Sequence, residues 1–149
     1  MIIKITNSAT ETINFAKQIG KMMNGGDIIE YKGGLGAGKT TFTRGLAMGL
    51  GLRDDVSSPT FALVNEYRGD DITLYHFDMY RILNAEALET TGFYDYISND
   101  SVIAIEWSEN IENELSTLKN ITTITIENIN EDTRKITVKG DERFENIGD

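Results

Sequence analysis

Gly33-Gly34-Leu35-Gly36-Ala37-Gly38-Lys39-Thr40 decides how the rest of this chain is read. The octapeptide fills every position of G-x-x-x-x-G-K-[ST], the pattern of a backbone loop that cradles phosphates. Each residue type has a physical reason. Glycines at 33, 34, 36 and 38 admit backbone conformations closed to residues with a Cβ, and they let N–H groups turn inward toward anionic oxygens. A helix opening near Gly38 adds the positive end of its dipole. Lys39 supplies a point charge for β- and γ-phosphates, Thr40 offers a hydroxyl to Mg²⁺, and Thr41 lies within reach of an α-phosphate. The motif requires a strand before it and a helix after it, and both are present. Residues 27–32 are an apolar strand, and residues 38–50 carry Phe42, Leu46 and Leu50 on one helical face before Gly51 stops it.

Working outward, residues 2–5 read as a short first strand. Ser8 and Glu11 form a capping box opening a helix to about Met23, with Ile13, Ala16, Ile19 and Met23 on one side. Residues 61–67 and 72–78 read as two strands joined by the turn Arg68-Gly69-Asp70-Asp71, hence a hairpin. Asn84 caps a short helix through Thr90. Residues 101–106 contain Val-Ile-Ala-Ile, typical of a buried parallel strand. Residues 121–126 and 135–138 are further strands around a polar turn. The expected class is α/β: a P-loop NTPase fold with a mixed parallel/antiparallel sheet flanked by helices. Parallel order is expected near the loop and antiparallel order at one side, all in a single domain spanning 1–149.

Composition narrows the function. The chain has no cysteine, so disulfides and thiolate metal sites are excluded. No apolar run approaches a membrane span, and the N-terminus lacks signal-peptide character, so a cytoplasmic protein with no membrane partner is expected. The net charge is −10. Residues 82–118 contain neither Lys nor Arg, while Glu86, Glu89, Asp95, Asp100, Glu106, Glu109, Glu112 and Glu114 all fall there. Such a surface repels phosphate backbones, so tight binding of nucleic acid by the chain alone is not expected. The acidic stretch serves solubility, or docks on a basic partner.

A phosphate loop needs a carboxylate near its metal, commonly at the end of an apolar strand. Leu74-Tyr75-His76-Phe77-Asp78 and Val102-Ile103-Ala104-Ile105-Glu106 both end that way. Either Asp78 or Glu106 is placed to hold Mg²⁺ or to orient the attacking water. His76, the single histidine, shares a face with Asp78 by alternation and reads first as a packed residue. Trp107 reads as core, as a fence around the site, or as a partner contact. Thr60, after Ser57-Ser58-Pro59, sits in a switch-like loop able to sense Mg²⁺ or a γ-phosphate.

The blocks GGLGAGKTTFTRGLAMGLG, VSSPTFALVNEY, LYHFDMYRI and IEWSEN, in that order, closely resemble the TsaE family, the ATPases of bacterial tRNA threonylcarbamoyladenosine (t6A) biosynthesis. The resemblance covers about residues 8–136. It implies ATP and Mg²⁺ as cofactors. It also implies TsaB- and TsaD-like partners, tRNA reached only through that complex, and an ATP cycle that resets the complex between turnovers. Carried onto this chain, Leu35, Gly36, Ala37, Gly38, Lys39 and Thr40 would hold the phosphates. Lys39, Glu106 and Asp78 would be catalytic, and Thr40 and Glu106 would bind Mg²⁺, with Asp78 as the other carboxylate. Thr60 would occupy the switch-like loop and Trp107 the edge of the site. The 8–12 segment would approach the adenine, with Ala9, Thr10 and, from the tail, Arg134 as contacts. Position 34, glycine here, is often acidic in relatives, and the chain ends soon after its last strand. Three rivals stay open. A Ras-like GTPase lacks its N-K-x-D motif here. A small-molecule kinase would need an arginine-bearing lid, for which residues 82–118 leave little material. A non-hydrolysing nucleotide-binding scaffold would show no turnover.

Overall fold

Short apolar strands build the sheet that carries the loop, and two amphipathic helices cover one of its faces. The structure is a computed structural model in which residues 1–34, 36–53, 56 and 63–147 are described. Leu35 and Thr60, both singled out above, lie outside the described residues, as do Phe61 and Ala62 of the expected hairpin.

The chain runs β1 (Ile2–Thr6), α1 (Ala9–Met22), β2 (Ile28–Lys32), α2 (Lys39–Leu50), β3 (Val64–Arg68), β4 (Thr73–Asp78), α3 (Ala85–Thr90), β5 (Ser101–Glu106), α4 (Glu112–Leu115), β6 (Ile121–Asn128) and β7 (Arg134–Lys139). Short 3-10 turns at Phe93–Tyr96, Glu109–Ile111 and Glu142–Asn146 complete it. The described residues form a seven-stranded sheet ordered β1-β7-β6-β2-β5-β4-β3. β2 lies at its centre, parallel to both β6 and β5, and β5 is parallel to β4. The β3–β4 hairpin is antiparallel, and so are β1–β7 and β6–β7. Antiparallel order thus occupies both edges, not one side as expected. The β6–β7 hairpin makes the second edge antiparallel, and β1 extends it by pairing the two ends of the chain, Ile2 opposite Val138, which no local pattern announces.

Alternation divides the core. Ile29 and Tyr31 of β2, with Val102 and Ala104 of β5, pack under Phe15, Ile19, Phe42 and Leu46 of α1 and α2. Ile28, Phe77, Ile103 and Ile105 face the other way, against Leu88, Phe93, Ile111 and Leu115. The cation-free stretch therefore covers the sheet face opposite α1 and α2, with Glu86, Glu89, Asp95 and Glu109 exposed. α1 and α2 pack unusually closely, because a Cβ at Gly45 would stand 2.5 Å from the Ala16 methyl and from the Ile13 carbonyl oxygen.

The helix caps follow the sequence with one difference. Ser8 accepts from the Glu11 N–H at 3.1 Å, but Glu11 reaches back to the N–H of Asn7 (2.6 Å), one residue earlier than a standard capping box. Asn84 caps α3 by accepting from the Ala87 N–H at 2.8 Å. Among the described residues no helix is long and apolar enough to cross a membrane.

Candidate nucleotide site

The loop after β2 takes its shape from three glycines. Gly33, Gly36 and Gly38 have φ of 138°, 72° and 107°, and a Cβ on Gly33 would lie 2.4 Å from the Ile126 carbonyl oxygen. Gly34 differs from the expectation: its φ is not positive and a Cβ there would meet nothing within 4 Å, so this position does not need glycine. Gly38 is the N-cap of α2. The first turn of any helix leaves its N–H groups without intrahelical partners, and here Lys39, Thr40 and Thr41 occupy that turn. These groups line a cavity of about 340 Å³ together with Gly34, Gly36, Ala37, Gly38, Glu106 and Arg134.

The first turn of α2 is tied to β2 from beneath. Thr43 Oγ1 donates to the Lys39 carbonyl (2.8 Å), so its hydroxyl oxygen is left to accept from the Tyr31 phenol, also at 2.8 Å. Burial pushes the Tyr31 phenol far above its ordinary range, the nearby Glu106 charge adds to the rise, and the Thr43 contact only partly offsets it. Tyr31 is therefore a permanently protonated donor.

Sheet order brings the carboxylates to the loop. β5 is the immediate neighbour of β2, and Glu106 closes it. The Glu106 side chain is nearly buried, with Oε1 3.9 Å from Lys39 Nζ. Lys39 is itself buried, and its ammonium stands 4.3 Å from the centre of the Trp107 ring. Carboxylate and indole together compensate a charge that burial alone would make costly. His76, wholly buried on β4, places Nε2 2.5 Å from Glu106 Oε2. The two meet without a directed hydrogen bond. Both ring nitrogens and Oε2 are buried and lack a hydrogen-bond partner among the described residues. Asp78 stands opposite Glu106 in register, one strand further from the loop. Its Oδ1 accepts from the Tyr80 N–H at 2.9 Å, and it does not line the larger cavity.

The residues fit a magnesium nucleotide. A nearly buried carboxylate with one oxygen beside a lysine ammonium, lining the same cavity as a threonine at a helix N-terminus, suits a cation and the phosphates it bridges. Among the described residues there is no group of three or more His, Asp or Glu side chains able to hold a metal alone. A metal here would rely on Thr40, Glu106, water and phosphate oxygens, as Mg²⁺ usually does.

A second cavity of about 120 Å³ adjoins the first, and Gly38, Thr41 and Arg134 line both. Ser8, Ala9, Thr12, Glu131 and Asp132 complete it. Of the two α1 residues proposed as base contacts, Ala9 lines this cavity and Thr10 does not. Arg134 Nε donates to the Ala37 carbonyl (3.1 Å), and Nη1 donates to the carbonyls of Asn130 and Glu131 (3.0 Å each). It therefore clamps the β6–β7 turn onto the phosphate loop. Glu131 and Asp132 went unnoticed in the sequence, where they read as ordinary turn residues.

Trp107 sits at the rim. Its φ of 59° is an outlier for a bulky residue, and its ring meets Tyr80 edge-on with centroids 5.7 Å apart. Tyr80 beside it is exposed.

The family model for the threonylcarbamoyl adenosine biosynthesis protein TsaE matches residues 6–136. A Treponema pallidum protein named tRNA threonylcarbamoyladenosine biosynthesis protein TsaE is 35% identical over 134 residues, covering 90% of this chain and 97% of its own. A Bacillus subtilis protein of the same name is 38% identical over 132 residues, covering 89% of this chain and 81% of its own. The crystal structure of YdiB from Bacillus subtilis superposes with a TM-score of 0.73 at 33% identity, over 97% of this chain and 88% of that one.

Proposed function

The chain belongs to the TsaE family, and on that premise we propose that it is a Mg²⁺-dependent ATPase of tRNA threonylcarbamoyladenosine biosynthesis that drives turnover of a TsaB–TsaD-type partner complex in the cytoplasm. The observation that carries the reading is the buried pair of Lys39 and Glu106, 3.9 Å apart, lining one cavity with Thr40 at the N-terminus of α2.

Each residue then has a task. Lys39 exchanges its contacts with Glu106 and Trp107 for phosphate oxygens. The N–H groups of the loop and of the first turn of α2 hold the phosphate chain in line and receive the charge that grows during transfer. Thr40 and Glu106 would hold Mg²⁺, which when bound neutralises phosphate charge. Asp78, one strand away, orients the water that attacks. Ala9, Thr12 and Arg134 border the smaller cavity, where the base is placed. Leu35 completes the phosphate loop, and Thr60 belongs to the segment that senses the γ-phosphate.

The acidic face supports an indirect route to tRNA. Phosphate contacts need Lys or Arg, and the helices covering the α3–α4 side of the sheet contribute none from residues 82–118. Partners hold the tRNA, and this chain supplies the nucleotide-driven step. The deciding experiment mixes the chain with ATP, Mg²⁺, tRNA and candidate TsaB- and TsaD-like partners, then follows phosphate release and tRNA modification together. Modification that proceeds for many turnovers without this chain, or a complex that releases no phosphate, rejects the proposal.

A further inference from the structure

Glu30 is a carboxylate in the middle of β2, the strand that leads into the phosphate loop. It is 8% exposed and points to the sheet face opposite α1 and α2. Its Oε1 accepts a hydrogen bond from Ser108 Oγ at 2.9 Å, and Ser108 is itself buried. Lys32 Nζ stands 3.7 Å from the same oxygen but is engaged more closely by Glu112, at 2.8 Å. A carboxylate is costly to bury, so its partner must matter to the fold or to the site.

Ser108 follows Glu106 by two residues. Between them Trp107 has a φ of 59°, a conformation that costs a bulky residue on the order of 1–3 kcal/mol and persists only where neighbours impose it. Besides the contacts of the Trp107 ring, hydrogen bonds hold the bend at two points, one toward β4 and one toward β2. The Met79 N–H donates to the Glu106 carbonyl at 2.9 Å on the β4 side, and Ser108 donates to Glu30 on the β2 side. The second point joins the bend to the strand that carries the phosphate loop.

We propose that Glu30 is a positioning residue: by accepting from Ser108 it fixes the Glu106–Trp107 bend to the phosphate-loop strand and so sets the Glu106 carboxylate against Lys39. The assignment rests on the ATPase reading above and deepens it. If the link moves, Glu106 and the indole move relative to Lys39, while the loop glycines and the helix N-terminus keep their shape. The link therefore acts on turnover and leaves nucleotide affinity nearly unchanged.

The test uses the full chain with its partners and four variants: Ser108→Ala, Glu30→Ala, Glu30→Gln and the Ser108→Ala/Glu30→Ala double. Each single alanine variant is expected to lower kcat roughly tenfold, short of the roughly 10²-fold that a full ångström of misplacement can cost, and to leave KM within about twofold. The double variant is expected to fall no further, because both changes cut one link. Glu30→Gln, whose amide oxygen still accepts from Ser108, restores most of the lost turnover. Trp107 is the single tryptophan, so its emission reports the bend without any hydrolysis. It shifts to longer wavelength in the alanine variants and not in Glu30→Gln. Parental kcat in both single alanine variants overturns the proposal. So does unchanged emission, an additive double variant, or a loss confined to melting temperature. If Glu30→Ala does not fold, Ser108→Ala, which removes a single oxygen, decides alone. A parent chain that releases no phosphate, while Ser108→Ala still shifts the emission, refutes the ATPase reading and leaves the brace in place.

Discussion

The two walls of the phosphate cavity are made differently. One wall is contiguous: a strand, a glycine loop and a helix N-terminus, spelled out between Ile28 and Thr41. The other is assembled around Glu106, which lines the cavity, with His76 buried behind its carboxylate and Trp107 against the Lys39 ammonium. They come near the loop because β5 and β4 follow β2 in the sheet. The first wall is mostly backbone and tolerates side-chain change wherever φ allows it, as at Gly34. The second is side chains alone, two of them wholly or nearly buried and short of hydrogen bonds. Under the proposed ATPase reading, binding energy is assigned chiefly to the first wall and reactivity to the second.

The most damaging single change should be Lys39→Ala, because Lys39 is the side chain both walls share. Loss of a group placed at developing charge costs on the order of 10²–10³-fold in rate, and here ATP affinity should fall as well. Phosphate release and equilibrium binding measure the two losses. A variant with parental phosphate release would remove the loop from the chemistry.

Next come the carboxylates, which separate the walls. Glu106→Gln should lower kcat by about 10²-fold while ADP still binds without Mg²⁺, since the contiguous wall is untouched. Asp78→Asn should cost less, because Asp78 lies one strand farther out and one of its oxygens already caps the Tyr80 N–H. Single-turnover hydrolysis beside metal-free ADP binding distinguishes them. Equal losses in the two variants would mean that Asp78 shares the chemistry on the same footing.

A smaller effect is expected at the joint between the cavities. Arg134→Ala removes the clamp from Ala37 to the β6–β7 turn and one boundary of the smaller cavity. KM for ATP should rise several-fold, the worth of one to two charge-assisted hydrogen bonds moderated by exposure, with kcat changed far less. Competition by ATP and GTP should favour ATP in the parent and lose part of that preference in the variant. An unchanged KM would place the base elsewhere.

Legibility in the sequence follows the same division. The contiguous wall could be read residue by residue, because its motif, its strand and its helix are neighbours in the chain. The β3–β4 hairpin and the Asn84 cap were visible for the same reason. The pairing of β1 with β7 was not, and it adds an outer strand to the antiparallel edge that the β6–β7 hairpin begins. Glu106 and Asp78 could be named as candidates from their strand ends, but only the sheet order showed that Glu106 lies nearer the loop. Glu30 and Ser108 gave no signal, since a carboxylate within an apolar strand and a serine after a tryptophan are unremarkable until they meet. The short 3-10 turns and the one-turn α4 are too brief to carry a helical period.

The gentlest change asks whether the contiguous wall needs its side-chain support. Tyr31→Phe deletes the phenol that donates to Thr43 and leaves the Thr43 bond to the Lys39 carbonyl intact. The lost bond is buried, and the Thr43 oxygen keeps a lone pair that water cannot reach. A typical net cost is about 1 kcal/mol, which in a chain of this size lowers the melting temperature by roughly 2–4 °C. The phenol stays protonated far above neutral pH, so this difference between parent and variant should be flat across the ordinary pH range. Lys39 remains held by the helix, by Glu106 and by Trp107, and the loop glycines keep their φ values. Turnover should therefore change by less than about twofold, against the 10²-fold expected on the carboxylate side. Thermal melting and steady-state kinetics on the same preparation make the comparison. A tenfold fall in kcat from this one atom would show that the loop's geometry depends on the strand beneath it, and the contrast between a backbone wall and a side-chain wall would fail.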